Sequence, residues 1–329
     1  MARIARRRSH RESIGEFKKM ALLNTKPIQR VRTALTESAT PRKKVFTQKE
    51  FNSLPVIDGI KQCPTGDYSR IKEFGDDCSF ASHCTFGDDC RFGLDCAFAD
   101  GCTFGARCSF DRGCTFGNRC RFGEACWFGI NCDFGDNCSF DKRCKFGGLC
   151  KFGESCFFHE SCSFDFSCSF GASCDFSPEC SFSSRCRFGE SCSFFGSCSF
   201  GEGCRFDDGC LFGENIRFDE QCTFHSFCCF GPGSSFGKQC KFGGGCFFCD
   251  GCIFNGKRAL AKDPLLAFSG TGVENPTVYA FNVEGGPWIE AGPFSGDLDA
   301  FREKARADGN ELHLRFANLV AAAWCCEKT

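Results

Sequence analysis

Between residues 74 and 254 apolar and polar positions alternate with a period of six that never slips. Phenylalanine stands at every sixth position from Phe74 to Phe254, 31 in all, and four residues later the position is Cys in 28 of 30 cases. The two exceptions, Ile216 and Ser234, lie three repeats apart. The stretch CTFGDDCRFGLDC, Cys84 to Cys96, shows the unit as Phe-Gly-x-x-Cys-x. The residue between Cys and Phe is often Ser, Thr, Arg or Lys. Cys and Phe therefore share one apolar face of a short extended piece, and that face is the inside of a coil. Gly follows Phe in 17 repeats and Asp or Asn in six more, which reads as a corner whose backbone angles suit those residues.

Three extended pieces and three corners close a triangular turn of three hexapeptides. Parallel strands stack about 4.8 Å apart, so the repeats predict about ten coils and a rod of about 50 Å. The fold class is all-β, a parallel β-solenoid. Alternating a bulky Phe with a small Cys fills such an interior without overpacking, and a buried free thiol behaves as a small hydrophobe.

The flanks read as caps for the open ends of the coil. Thr47 and Glu50 form a capping box that predicts a short helix to about Leu54, ended by Pro55, and Tyr68 begins the first coil. Downstream, VYAFNVEGGPWIEAG predicts a hairpin turning at Gly285 and Gly286, followed by helices over Asp297 to Ala307 and Glu311 to Cys325. The chain thus divides into a basic tail (1–44), an N-terminal cap (45–73), the solenoid (74–259) and a C-terminal ββαα unit (260–329).

The hexapeptide unit resembles that of left-handed parallel β-helices, with Phe in place of the large aliphatic and Cys in the small-residue place. That resemblance implies a left-handed coil. The segment IEAGPFSGDLDAFREKARA is similar to the tail of uncharacterised repeat proteins encoded by bacteriophages and prophages. It implies a phage accessory or virion-associated role and no reaction.

Composition adds a compartment. The chain has 33 Cys, 44 Phe and 38 Gly in 329 residues, yet the apolar run after MARIARRRSH, Met20 to Leu23, is too short for an export signal, and no stretch suits a membrane span. Free thiols in a reducing cytoplasm are expected. Charge is segregated: residues 1–44 hold 13 Lys or Arg against three Glu. Arg6, Arg7, Arg8, Arg11, Lys18, Lys19, Arg42, Lys43 and Lys44 are the candidates for nucleic acid or another polyanion.

Candidate chemistry follows from what breaks the pattern. Zinc needs four converging ligands, whereas an aligned cysteine column offers a file. Five cysteines fall out of register, Cys63, Cys229, Cys249, Cys325 and Cys326, and are expected to be the more reactive ones. Cys229, Cys249 and His225 are the candidate metal ligands, CDGC at Cys249 to Cys252 being a formal Cys-x-x-Cys, and no cofactor is expected. The hexapeptide resemblance also brings an acyltransferase reading, for which His83, His159 and His225 occupy turn positions without any interrupting loop. With three repeats per turn, Leu211, Cys229 and Phe247 stack on one outer face, with Phe157 in the same column and Phe195 and Phe227 nearby. This apolar stripe is a protein-partner or self-association site, or the seat of the folded-back C-terminal unit, which is the expected use. The leading reading is a non-enzymatic scaffold or binding protein, with a cysteine-rich metal or redox protein, a nucleic-acid-associated protein and an acyltransferase as alternatives.

Overall fold

The structure, a computed structural model, describes residues 43–260, 264–268 and 277–324. The hexapeptides form a parallel β-solenoid of about eleven turns whose strands align in three sheets of 12, 12 and 9 strands. In chain order the first sheet runs from Glu73–Phe74 to Ile253–Phe254, the second carries Cys78–Phe80 to Lys241–Phe242, and the third carries Thr103–Phe104 to Phe247–Phe248. Most strands are two residues long, one outward residue and one Phe, and each pairs in register with the strand three repeats on, as Lys145 with Ser163 and Phe146 with Phe164.

Inside, the rings form three columns. Phe146 and Phe164 stack at 4.8 Å with planes 3° apart, while Phe146 meets Phe152 of the adjoining sheet edge-on at 5.1 Å. Both arrangements suit the ring quadrupole. A buried Phe contributes roughly 1.5–3 kcal/mol, so the columns are the main source of stability.

The corners differ from the sequence expectation. Positive φ recurs at every sixth residue from Asp77 to Gly251, three places after each Phe rather than one, and glycine fills only seven of those 30 positions. Asp, Asn, Ser and Arg take most of the rest, at about 1–3 kcal/mol of backbone strain each. The turn N–H is satisfied by the coil above, as in Arg107 N–H to Glu124 O at 2.8 Å. The glycine after Phe is required by space. A Cβ on Gly171 would meet the Gly153 carbonyl carbon at 2.7 Å, because successive corners stack directly.

Each end is closed by different chemistry. Thr47 caps a helix, α1 (Gln48–Asn52), by the expected capping box, and Glu50 is held down to about 2 by the Thr47 N–H, Lys44 and the Thr47 hydroxyl. From α1 Phe51 packs edge-on to Phe74, while Phe46 stacks on Tyr68 and Tyr68 on Phe86, so the third ring column begins before the regular repeats. At the far end stands an antiparallel sheet of four strands, Leu265–Phe268, Val278–Phe281, Trp288–Ala291 and Phe294–Asp297, two more than the predicted hairpin. Helices α2 (Leu298–Ala307) and α3 (Glu311–Trp324) cover its other side. Phe281 stacks on Phe254 at 4.5 Å, and the Tyr279 hydroxyl bonds the Phe242 backbone. The C-terminal unit is thus seated on the end of the ring columns rather than laid along the column from Leu211.

Candidate functional site

The regular cysteines are committed to the backbone. The carbonyl after each Phe points inward at the corner, and the thiol one coil above donates to it. Cys144 reaches Gly123 O at 3.5 Å, Cys150 reaches Gly129 O at 3.4 Å and Cys156 reaches Gly135 O at 3.4 Å. A thiol is small enough for the corner and supplies the weak donor that alanine lacks. Ile216 cannot donate to the Phe195 carbonyl, and Cys198 bends to that carbonyl at 3.0 Å; Ser234 donates within its own turn to Gly231 O at 2.9 Å. Among the described residues every cysteine is a free thiol, and no group of three or more His, Cys, Asp or Glu converges as a metal would require.

Two of the out-of-register thiols, Cys63 and Cys229, are held protonated. Cys63 pairs with Phe80 and lies buried in the core, where the neighbouring Cys78 thiol and burial push its pKa up. Cys229 is half-buried on the third face, and burial pushes its thiol up to about 11. Low reactivity at neutral pH follows for both, contrary to the sequence expectation. His225 lies 3.7 Å from Asp207 at an exposed corner. Cys249 is half-buried four corners farther along the chain, and Cys325 and Cys326 fall outside the described residues.

The other sequence candidates scatter over the surface. Leu211, Cys229 and Phe247 do stack in register on the third face, but Asp175 and Ser193 separate them from Phe157. Phe157 packs edge-on against His159. Phe195 is half-buried at the corner beyond that face, and Phe227 is exposed at the corner between the second and third faces. His83 occupies a left-handed corner near the N-terminal end, far along the rod from His225. In the tail, Lys43 donates to Thr85 Oγ1 at 2.9 Å and Lys44 pairs with Glu50, so both hold the N-terminal cap. Arg6, Arg7, Arg8, Arg11, Lys18, Lys19 and Arg42 lie outside the described residues.

The outer faces carry the difference that the apolar stripe obscured. On the first face six consecutive outward positions are Lys145, Ser163, Ser181, Ser199, Arg217 and Ser235, all in register. On the second they are Lys151, Ser169, Arg187, Arg205, Thr223 and Lys241. The twelve positions hold six cations, six hydroxyls and no carboxylate. Only Lys151 has an ion pair among the described residues, with Asp133 at 3.5 Å. The spacing that aligns Leu211 with Cys229, applied to every outward position, is the sequence signal for this surface.

Most acids of the rod sit instead at corners, where many work structurally. Asp76, Asp88, Asp100 and Asp136 each accept the N–H of a residue one coil on at 2.8–2.9 Å, satisfying donors that the short strands leave over. Others hold cations away from the two faces, as Asp89 holds Arg107 at 2.7 Å and Glu160 holds Lys142 at 3.7 Å.

Six stretches, residues 74–93, 95–111, 125–141, 144–159, 179–195 and 191–207, match an RNA-binding, Nab2-type zinc finger family of the Cys-Cys-Cys-His class. No curated protein and no solved structure matches the chain. The matched stretches carry cysteines at the six-residue spacing of the repeat. In 144–159 it offers Cys144, Cys150, Cys156 and His159, but these three thiols stand on three different columns and each serves a separate carbonyl. Zinc does not fit this arrangement, since a Cys₃His site needs its four ligands around one point.

Proposed function

We propose that the chain is a non-enzymatic scaffold rod that binds nucleic acid along its first and second faces. The observation that carries this reading is the run of twelve outward positions with six cations, six hydroxyls and no carboxylate. Lysine and arginine neutralise phosphates with release of counterions, and Ser and Thr hydroxyls donate to phosphate oxygens. The matched family is described as RNA-binding, which supports the same class of partner through a different structure. The basic tail adds cations to the same task. The repeat and the C-terminal segment together support a left-handed coil and a phage accessory or virion-associated origin, acting in the host cytoplasm.

The test is retention of single-stranded RNA and DNA oligonucleotides by the full chain across a salt series. Affinity is expected to fall steeply with salt. Replacing Lys145, Lys151, Arg187 and Arg205 with Gln is expected to flatten the log–log salt slope by about three to four. Lys142→Gln, at an ion-paired corner, is expected to leave the slope close to that of the parent. Absence of salt-sensitive retention would refute the reading. The register of Leu211 and Cys229 favours a second reading, a protein partner at the third face, in which Leu211→Ser changes association and leaves oligonucleotide retention intact.

A further inference from the structure

Resting on that nucleic-acid reading, we infer that Phe166 and Phe227 are base-stacking residues that make the second face a single-strand site. Both rings are exposed, by 44% and 56%, in a protein whose other repeat phenylalanines are almost all buried. Phe166 stands at the corner between the first and second faces, in the coil of Ser169. Phe227 stands at the opposite corner, in the coil of Thr223. Arg187 and Arg205 lie between them on the face, across an axial distance of about 14 Å for three coils. Two aromatic platforms therefore bracket two cations that have no ion-pair partner among the described residues.

Each ring has a place made for it. Phe166 lies over Gly148 so closely that a Cβ there would meet its Cε1 and Cζ at 2.8 Å, and Phe227 lies over Gly245, where a Cβ would meet its ring at 2.7 Å. Gly148 has no positive φ and does not follow a Phe, so neither the corner geometry nor the stacked corners require glycine there; the Phe166 ring does. Phe227 is held at φ 62°, a region that a bulky side chain enters at a cost. Neither ring contributes to the ring columns inside. Rings presented beside unpaired cations fit a strand whose bases are unstacked and whose phosphates face Arg187 and Arg205, because every base has a face to stack. A duplex hides those faces and gains nothing from the rings.

The experiment measures binding of a single-stranded oligonucleotide containing 2-aminopurine, and of the same sequence as a duplex, by the full chain. Serine already occupies the equivalent corner positions at Ser184 and Ser173, so Phe166→Ser and Phe227→Ser keep the fold, checked by an unchanged circular dichroism spectrum and thermal midpoint. Each substitution is expected to weaken single-strand binding about 10-fold, to reduce the change in 2-aminopurine emission, and to leave duplex binding and the salt slope unchanged. Arg187→Gln with Arg205→Gln is expected to flatten the salt slope by about two. Ring variants that bind single strands like the parent, while the arginine variants lose affinity, overturn the stacking role and leave the nucleic-acid reading standing. Equal loss on single strand and duplex also overturns it. A parent chain that binds no nucleic acid overturns both.

Discussion

The inside and the outside of this rod are built from the same repeat and behave as different kinds of sequence. Inward positions tolerate almost one residue each, because every Phe stacks on the Phe one coil away and every thiol serves a corner carbonyl. Outward positions obey no such demand, yet between Lys145 and Lys241 they sort by face: hydroxyls and cations on the first and second, and Phe157, Asp175, Ser193, Leu211 and Cys229 on the third. Packing fixes the first set and leaves the second free to answer to a partner. The residue between Cys and Phe, which contributes least to the fold, therefore says most about function.

Four perturbations break or sharpen that contrast. Phe164→Ala removes one ring from the middle of a column and is expected to cost about 3–5 kcal/mol in urea unfolding, whereas Ser163→Ala beside it should stay within about 0.5 kcal/mol. Equal effects would mean that inside and outside are not distinct. Alkali should act on the interior next. Burial holds Cys229 and Cys252 at about 11 and 12 against an ordinary 9, so the folded state keeps their protons more tightly than the unfolded chain does. That contribution is complete below pH 9 and is lost as the pH rises through 11 to 12. The thermal midpoint is expected to fall over that window, with thiol absorbance rising at the same pH. At a corner the two kinds of position should respond with opposite sign. Gly171→Ala is expected to cost about 1–3 kcal/mol for want of space, and Ser173→Gly, at φ 59°, to be neutral or to stabilise by about 1 kcal/mol. Arg187→Gln with Arg205→Gln should change stability least, by under about 0.5 kcal/mol in the same urea assay, while altering the salt dependence of oligonucleotide retention.

The period of six, the inward assignment of Cys and Phe, the capping box at Thr47 and both C-terminal helices are legible in the sequence because each rests on contacts close in the chain or on strict repetition. The role of the glycine after Phe is not. Its residue preferences mimic a left-handed corner, while the actual demand comes from the backbone of the corner one coil away. Cys63 misleads for a related reason: it belongs to an irregular first turn, and only the pairing with Phe80 shows that it takes a ring's place in the core. Strands Leu265–Phe268 and Phe294–Asp297 carry little period of their own and exist as partners of the central hairpin. At the surface, the apolar column stands out because hydrophobic residues are conspicuous in a sequence, whereas six cations scattered from Lys145 to Lys241 become a surface only after the chain is folded into coils.

The uniform register of three repeats per coil makes the rod a screw with two kinds of step. A duplication or loss of three repeats would lengthen or shorten it by one thread and leave every face with its own chemistry. A change of one repeat would preserve each interior contact type while turning all that follows by one third of a revolution, moving Lys151, Arg187 and Arg205 as a block onto a neighbouring side. Insertions of one repeat and of three are thus equivalent to the core and opposite in effect on what the surface presents. A lineage carrying such rods has one mutational route to a new length and another to a new orientation of an old binding surface.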